Sequence, residues 1–346
     1  MELSFLPMRF SKLSMYAATA AAAVGILAGC TGNALQATPS NPSAGAAALQ
    51  NGRMMTYTAA RGAIRSGAQR HGDWVSPDKK AALVYISDYG GGAVDFYNYT
   101  PGSIGSQAGS ITSGISGPQG LCSDKKGNVY VANTNNRQVL EYKHGSTTLK
   151  KTLATSTEYV VGCAVSKKGN LAVTAICSYP SCGEGALLVY KKAKGTPKSY
   201  QCSNLYRYYF VAYDKAGNAF VDGSNASGGF GLCELPASGS SLQNISVSAP
   251  PSFPGGVSYD GTYIIVGDQL AASLIQYTIS GTTATKAGTV SLTGASDVDQ
   301  QTVYGGYVIG PDAGNAAAEV WNYPAGGSII NSKTGFSEPV GSAVSK

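Results

Sequence analysis

The chain is 346 residues long with 45 glycines and only 13% charged residues, so it is turn-rich, and its surface must be covered largely by hydroxyl and amide side chains, Tyr alone numbering 22. A net charge of +6, scattered over 25 basic and 19 acidic residues, lacks the clustered Lys/Arg of a nucleic-acid footprint, and the composition argues against disorder over most of the length. The two histidines, His71 and His144, are too few for a His-built zinc site or a paired His acid and base.

Arg9 and Lys12 precede an apolar run from Leu13 to Ala28 that leads into Gly29-Cys30. A positive start, a short apolar stretch and small residues before a Cys are the parts of an export signal, and 16 residues fall short of the ~20 that span a bilayer as a helix, the alternative reading. The segment resembles a bacterial lipoprotein signal. That resemblance implies removal of residues 1–29, lipidation of Cys30 and, since Thr31 rather than Asp follows, an outer-membrane destination if the cell is Gram-negative. Residues 30–75 are dominated by Ala, Gly, Ser, Thr, Asn and Pro, with almost no large apolar side chains before Met54. Such a stretch cannot offset its ordering entropy and is expected to be a flexible tether, with Trp74 marking the approach to a folded domain over 76–346.

From Ala82 onward one unit recurs: a small apolar strand, a turn built on Gly-Asn, a second strand, a polar loop, and a third strand ending in Tyr. The clearest copy runs from Gly117 to Tyr142, and others cover Val161 to Tyr190, Phe210 to Leu235, Gly256 to Tyr277 and, degenerately, Ser296 to Tyr323. Aligning the second strands on Val84, Val129, Leu171, Ala219, Tyr263 and Tyr307 gives steps of 42 to 48 residues, the period of propeller blades. The first unit lacks its opening strand, because Leu83-Val84-Tyr85-Ile86-Ser87 is already its second. Phe336 to Ser345 matches Ile115 to Ser123 and has no room to continue, so the C-terminal strand is expected to complete the first unit and remove the open edges. The expectation is an all-β, six-bladed β-propeller closed by its C-terminal strand, with a β-sandwich or two separate sheets as the alternative. The second unit resembles an NHL repeat through Pro118-Gln119-Gly120, Gly127-Asn128-Val129-Tyr130-Val131-Ala132-Asn133 and Asn135-Asn136-Arg137. The likeness extends over about 260 residues but keeps Asn-Asn-Arg only here, so it speaks to fold more than to activity.

Six further cysteines in an exported chain favour disulfides over metal or redox chemistry. Cys122 and Cys163 fall on first strands of adjacent units at opposite parity and are expected to face one another across the gap. Cys177 and Cys182 bracket a short loop they can staple. The remaining pair is Cys202, expected on an outer strand, with Cys233 on a third strand.

Charges sort by face in such a disc. The first-to-second-strand turns carry Lys79-Lys80, Lys125-Lys126, Lys167-Lys168 and Lys215, whereas the second strands end, on the other face, in Asp88, Asn133, Asp222, Asp268 and Asp312. Two readings of that acidic row stand side by side: turn residues bonding their own backbone, or a rim that receives a polar ligand together with Tyr89, Asn135, Asn136 and Arg137, with Tyr89, Tyr179, Tyr206 and Tyr208 as stacking surface. The functional expectation is a monomeric, non-catalytic, lipid-anchored extracytoplasmic module without cofactor or resident metal. It binds a protein, peptide or envelope polysaccharide on the acidic face and rests Lys79, Lys125, Lys126, Lys167 and Lys168 toward the membrane. The alternative is a metal-dependent hydrolase of the gluconolactonase type acting on lactones or sugar acids. It is disfavoured by first strands such as Leu121-Cys122-Ser123 and Val211-Ala212-Tyr213, which hold no axial Glu.

Overall fold

The computed structural model describes residues 81–155 and 157–346; the predicted signal 1–29, Cys30, the tether 30–75, Trp74, His71 and Lys79 lie outside the described residues. The strands form antiparallel groups of four in chain order. The second group is β4 (Pro118–Ser123), β5 (Val129–Asn133), β6 (Gln138–Tyr142) and β7 (Leu149–Ala154), and the third is β8 (Glu158–Val165), β9 (Leu171–Ser178), β10 (Ala186–Tyr190) and β11 (Lys198–Tyr200). The fourth group is β12 (Arg207–Tyr213), β13 (Ala219–Ser224), β14 (Phe230–Leu235) and β15 (Gln243–Val247), and the fifth is β16 (Pro254–Tyr259), β17 (Ile264–Asp268), β18 (Ser273–Ser280) and β19 (Thr283–Thr293). The sixth is β20 (Thr302–Tyr304), β21 (Tyr307–Asp312), β22 (Ala317–Asn322) and β23 (Gly326–Thr334). The first group has only three strands of its own, β1 (Leu83–Asp88), β2 (Ala93–Thr100) and β3 (Ser103–Ile111), and its fourth is β24 (Pro339–Ser345), paired with β1 from Leu83↔Ser345 to Asp88↔Pro339.

The turns between first and second strands explain why the repeat carries its Gly-Asn signature. In Asp124-Lys125-Lys126-Gly127-Asn128, Asp124 Oδ1 accepts from the backbone N–H of Lys126 (2.8 Å) and Asn128 (3.0 Å), and Oδ2 accepts from Asn128 Nδ2 (2.7 Å). Gly127 takes φ +80°, which costs a glycine little. Asp214 holds Gly217 and Asn218 in the same way, and Ser166 Oγ accepts from Asn170 N–H.

Burial follows strand position. The second strands are sandwiched on both sides, so β1, β5 and β17 are buried at every residue, while the outer strand β23 alternates and β7 buries only Leu153. The apolar clusters draw on neighbouring groups: one joins Tyr85, Phe96 and Ala343 to Leu121 and Val131, and another joins Ala172 and Leu187 to Val211 and Val221. The first strands touch in a cycle, β24 against β4, β4 against β8, β8 against β12, β12 against β16, β16 against β20 and β20 against β24. Glycine permits the closest of these approaches: a side chain at Gly341 would run into the Gln119 carbonyl, and one at Gly120 would meet the Val161 carbonyl at 2.5 Å. The first strands surround a single cavity of about 590 Å³ to which all six contribute.

The outer strands hold a feature that the repeat pattern does not announce. β19 is eleven residues long and pairs in parallel with β15 at Ser246↔Thr283 and with β23 at Leu292↔Gly327. The outer rims of the last three groups are thus laced together by backbone hydrogen bonds. The three expected disulfides are present, Cys122–Cys163, Cys177–Cys182 and Cys202–Cys233. Cys202, expected on an outer strand, lies in the loop between β11 and β12, where its N–H donates to the Tyr208 hydroxyl at 2.6 Å.

Candidate functional site

The face at the ends of the second strands is built in two layers, and the acidic row is the lower one. Asp88, Asn133, Asp222, Asp268 and Asp312 are all buried, at 5% exposure or less. Asp88 accepts from the N–H groups of Gly91, Ser337 and Glu338. Asp268 accepts from Ser252, Phe253 and Ala271, and Asp312 from Ser296, Asp297 and Asn315. Asn133 uses Oδ1 to accept from Ser116 N–H (2.6 Å) and Nδ2 to donate to the Gly114 carbonyl (2.9 Å). These side chains fasten the loop that enters each first strand, and Asp88, Asp268 and Asp312 also hold the turn that leaves the second. They are loop anchors rather than an open rim, because a carboxylate that takes two or three backbone donors inside the protein has little left for a ligand.

Asp222 is the exception among the anchors. It is fully buried, Oδ1 accepts from Phe210 N–H at 2.9 Å, and Oδ2 has no hydrogen-bond partner. Burial pushes its carboxyl well above the usual carboxylate range. An acid raised on folding contributes its stability in full below the unfolded value of ~3.9 and loses it as pH rises toward the folded value. Asp222→Asn removes that loss and imitates Asn133. Melting temperatures at pH 4, 6 and 8 should show the variant gaining on the parent as pH rises, and a difference independent of pH would contradict the assignment.

The upper layer is formed by Tyr89, Asn135, Arg137, Tyr159, Tyr179 and Tyr206. Arg137 turns its backbone into the left-handed region at φ +52°, and its carbonyl accepts from Thr155 N–H (3.0 Å) and Oγ1 (2.7 Å). Its guanidinium lies 4.1 Å from the centre of the Tyr179 ring and 5.9 Å from that of Tyr159, and it hydrogen-bonds the Tyr159 hydroxyl. The two rings meet edge to face at 5.8 Å. Tyr179 is 43% exposed, yet its loop is fixed at both ends. The Cys177–Cys182 disulfide closes the loop, and Tyr179 N–H donates to the Thr157 carbonyl at 2.7 Å. From below, the buried Arg207 donates to the carbonyls of Gly183 (2.6 Å) and Cys182 (3.1 Å) and lies 4.3 Å from the Tyr206 ring. Beside them Glu158 is partly buried, and desolvation pushes its carboxyl up to about 7.

Of the predicted ligand residues, Tyr89 and Asn135 meet through a side-chain hydrogen bond, Arg137 and Tyr179 stack, and Asn136 is exposed with Nδ2 near the Gly114 carbonyl (3.4 Å). Tyr208 is fully buried and offers no stacking surface, because its hydroxyl accepts from Cys202 N–H. Tyr159 and Arg207 went unnoticed in the sequence. The signal for Tyr159 is its position opposite Cys177, the stapled end of the Tyr179 loop. Lys125, Lys126, Lys167 and Lys168 are exposed at the other end of the molecule. Among the described residues, no group of three or more His, Cys, Asp or Glu side chains is placed to hold a metal ion.

The comparisons with known proteins bear on the fold. Residues 116–142, which span β4 to β6 and include Asn135-Asn136-Arg137, match the family model described as NHL repeat. No curated protein matches the chain. Among solved structures, a chain of the nidogen/laminin complex is similar at 10% identity and a TM-score of 0.63, over 77% of this chain and 98% of that one. A protein of unknown function from Bacteroides caccae is similar at 12% identity and a TM-score of 0.57, over 77% of this chain and 99% of that one. With its repeated antiparallel groups of four strands and these structural neighbours, the protein has a β-propeller fold, and its second unit is similar to an NHL repeat.

Proposed function

We propose that the protein is a non-catalytic interaction module whose six groups of strands are blades of one ring closed by β24, held by a lipid on Cys30 at the extracytoplasmic side of a bacterial envelope. The observation that carries the binding role is the Arg137–Tyr179 stack. A large aromatic surface is kept 43% exposed on a loop that a disulfide, a buried guanidinium and a backbone hydrogen bond all immobilise. An exposed Tyr and a partly exposed Arg on a rigid support pay little ordering entropy on association, and both residue types dominate binding hot spots. The disulfides support an oxidising compartment. The likeness to a chain of a complex between two proteins supports a protein or peptide partner, and the tyrosine faces also suit an envelope polysaccharide.

In this reading the lysine end faces the membrane, since β1 begins there and the tether precedes it. The test is capture of partners from an envelope extract, with binding to anionic vesicles measured alongside. Truncating both Tyr179 and Arg137 to Ala should weaken capture at least ~30-fold, the scale of a loss of two or more kcal/mol, and leave vesicle binding unchanged. Changing Lys125, Lys126, Lys167 and Lys168 to Glu should do the reverse. Capture that survives the loss of Tyr179 and Arg137 but not the lysine changes would overturn the assignment of faces.

A further inference from the structure

The first strand of each group has a ladder partner on one side only, so six strand edges face the cavity they enclose, which opens at the lysine end, opposite the Arg137–Tyr179 stack. The side chains of these strands point into the gaps between groups, as Leu121, Val211 and Val257 do in the apolar clusters, and the wall toward the axis is therefore largely backbone. The turns that leave the strands fix which backbone groups look inward. Asp124 N–H donates to the Asn128 carbonyl (2.9 Å) and Asp260 N–H to that of Tyr263 (3.3 Å). In an antiparallel ladder bonded and unbonded residues alternate, so Leu121 and Ser123 on β4, and Val257 and Tyr259 on β16, turn both N–H and C=O away from the second strand. Each of these residues offers the axis a donor and an acceptor side by side.

One such pair is already occupied, and its occupant shows what the edges take. Gln300, just before β20, reaches past β24 to β4, where Oε1 accepts from Leu121 N–H (2.8 Å) and Nε2 donates to the Leu121 carbonyl (2.9 Å). A side-chain amide thus makes the two-bond exchange that a residue of a neighbouring strand would make. Opposite β4 in the cycle of first strands, β16 repeats its register, Val257↔Val266 answering Leu121↔Val131 after the same irregularity. Beside it Gln301 donates through Nε2 to the Gly256 carbonyl (2.6 Å) and keeps a buried Oε1 without a partner, a further acceptor in the lining. Tyr213, Tyr259 and Tyr304 are partly exposed at the mouth, where their rings flank the entrance. Asp124, Lys125 and Lys346 bring both signs of charge to the same rim, so nothing there demands a charged ligand. The volume of about 590 Å³ lies within the ~300–1,000 Å³ of small-ligand sites. An apolar occupant would strip these N–H and C=O groups of water uncompensated, whereas a peptide chain replaces that water bond for bond.

We propose that this cavity binds a short extended peptide of about three residues, added as a strand to the inner edge of β16 and recognised by its backbone amides rather than by a side-chain sequence. The inward pairs at Val257 and Tyr259 are two residues apart, a span that a chain of this length covers. The test titrates the folded protein with acetyl-trialanine amide, which carries only backbone and methyl groups, and follows the protein amides by NMR. One molecule should bind per chain and move the amides of Val257 and Tyr259. The same peptide with every alanine nitrogen methylated offers the edge no alanine N–H and should bind at least tenfold more weakly. Val257→Pro removes an N–H that faces the axis and no ladder bond, a change a strand edge accepts, and should weaken trialanine at least fivefold at a melting temperature close to the parent. Should that variant not fold, the methylated peptide on the parent protein gives the same decision. Truncating Tyr179 and Arg137 should leave trialanine binding unchanged, so this site and the proposed partner face fail separately. Absence of saturable binding, equal binding of the methylated peptide or of a disaccharide such as trehalose, or shifts confined to the outer strands would overturn the proposal.

Discussion

Removal of Phe336 to Lys346 is expected to abolish cooperative unfolding, whereas removal of everything before residue 76 should leave the melting temperature within a few degrees of the parent. The C-terminal segment buries Phe336, Val340, Ala343 and Val344, each at 7% exposure or less. Three large side chains at ~1.5–3 kcal/mol each already approach the 5–15 kcal/mol that is the whole stability of a typical domain. The backbone loss adds to this. β1 would become an edge along Leu83–Asp88, and Asp88 would lose the N–H groups of Ser337 and Glu338 that it now holds. Ser345 Oγ, which donates to the Gly127 carbonyl and also contacts His144 Nδ1 at 2.8 Å, would no longer tie β24 to the second group. Circular dichroism melts of the two truncations test this directly, and a C-terminal deletion that melts like the parent would contradict it.

Reduction of the disulfides should have the next largest effect, and the three bridges should not contribute equally. Loop-closure entropy grows with the span closed, so Cys122–Cys163, 41 residues apart, and Cys202–Cys233, 31 apart, are each worth up to ~4 kcal/mol, and Cys177–Cys182, 5 apart, about half that. Complete reduction should therefore lower the melting temperature by roughly 15 °C or more, at ~2–4 °C per kcal/mol for a domain of this size. Replacing Cys177 and Cys182 with Ser should cost only a few degrees but free the Tyr179 loop, so that partner capture falls while the fold survives. Mapping that finds all six thiols free in natively isolated protein would remove both expectations.

The parts of this fold that are legible in the sequence are those set by local chemistry. Asp124 and Asp214 with Gly-Asn announce their turns because a short acceptor, a residue free to take positive φ and a second amide are what the turn requires. Opposite parity at Cys122 and Cys163 sufficed to pair them, since side chains alternate along a strand. What the sequence leaves open is set by tertiary surroundings. A strand-ending Asp reads the same whether it faces solvent or holds three backbone N–H groups of a distant loop, as Asp312 and Asp268 do. Tyr206 and Tyr208 are near neighbours in the chain, yet one is partly exposed against Arg207 and the other fully buried, because Tyr206 lies in the loop before β12 whereas Tyr208 is inside the strand with its hydroxyl held by Cys202 N–H. The parallel lacing of β15, β19 and β23 depends on how far the outer strands splay, which no single repeat encodes.

Amide hydrogen exchange of the native protein tests the closed ring most directly. In this account the amides of 340–345 that point to β1 share one ladder with Leu83–Asp88, so these amides and their partners should exchange only through global unfolding and at equal, slow rates. Exchange of 340–345 at the rate of an unstructured terminus, with Leu83–Asp88 still protected, would contradict it.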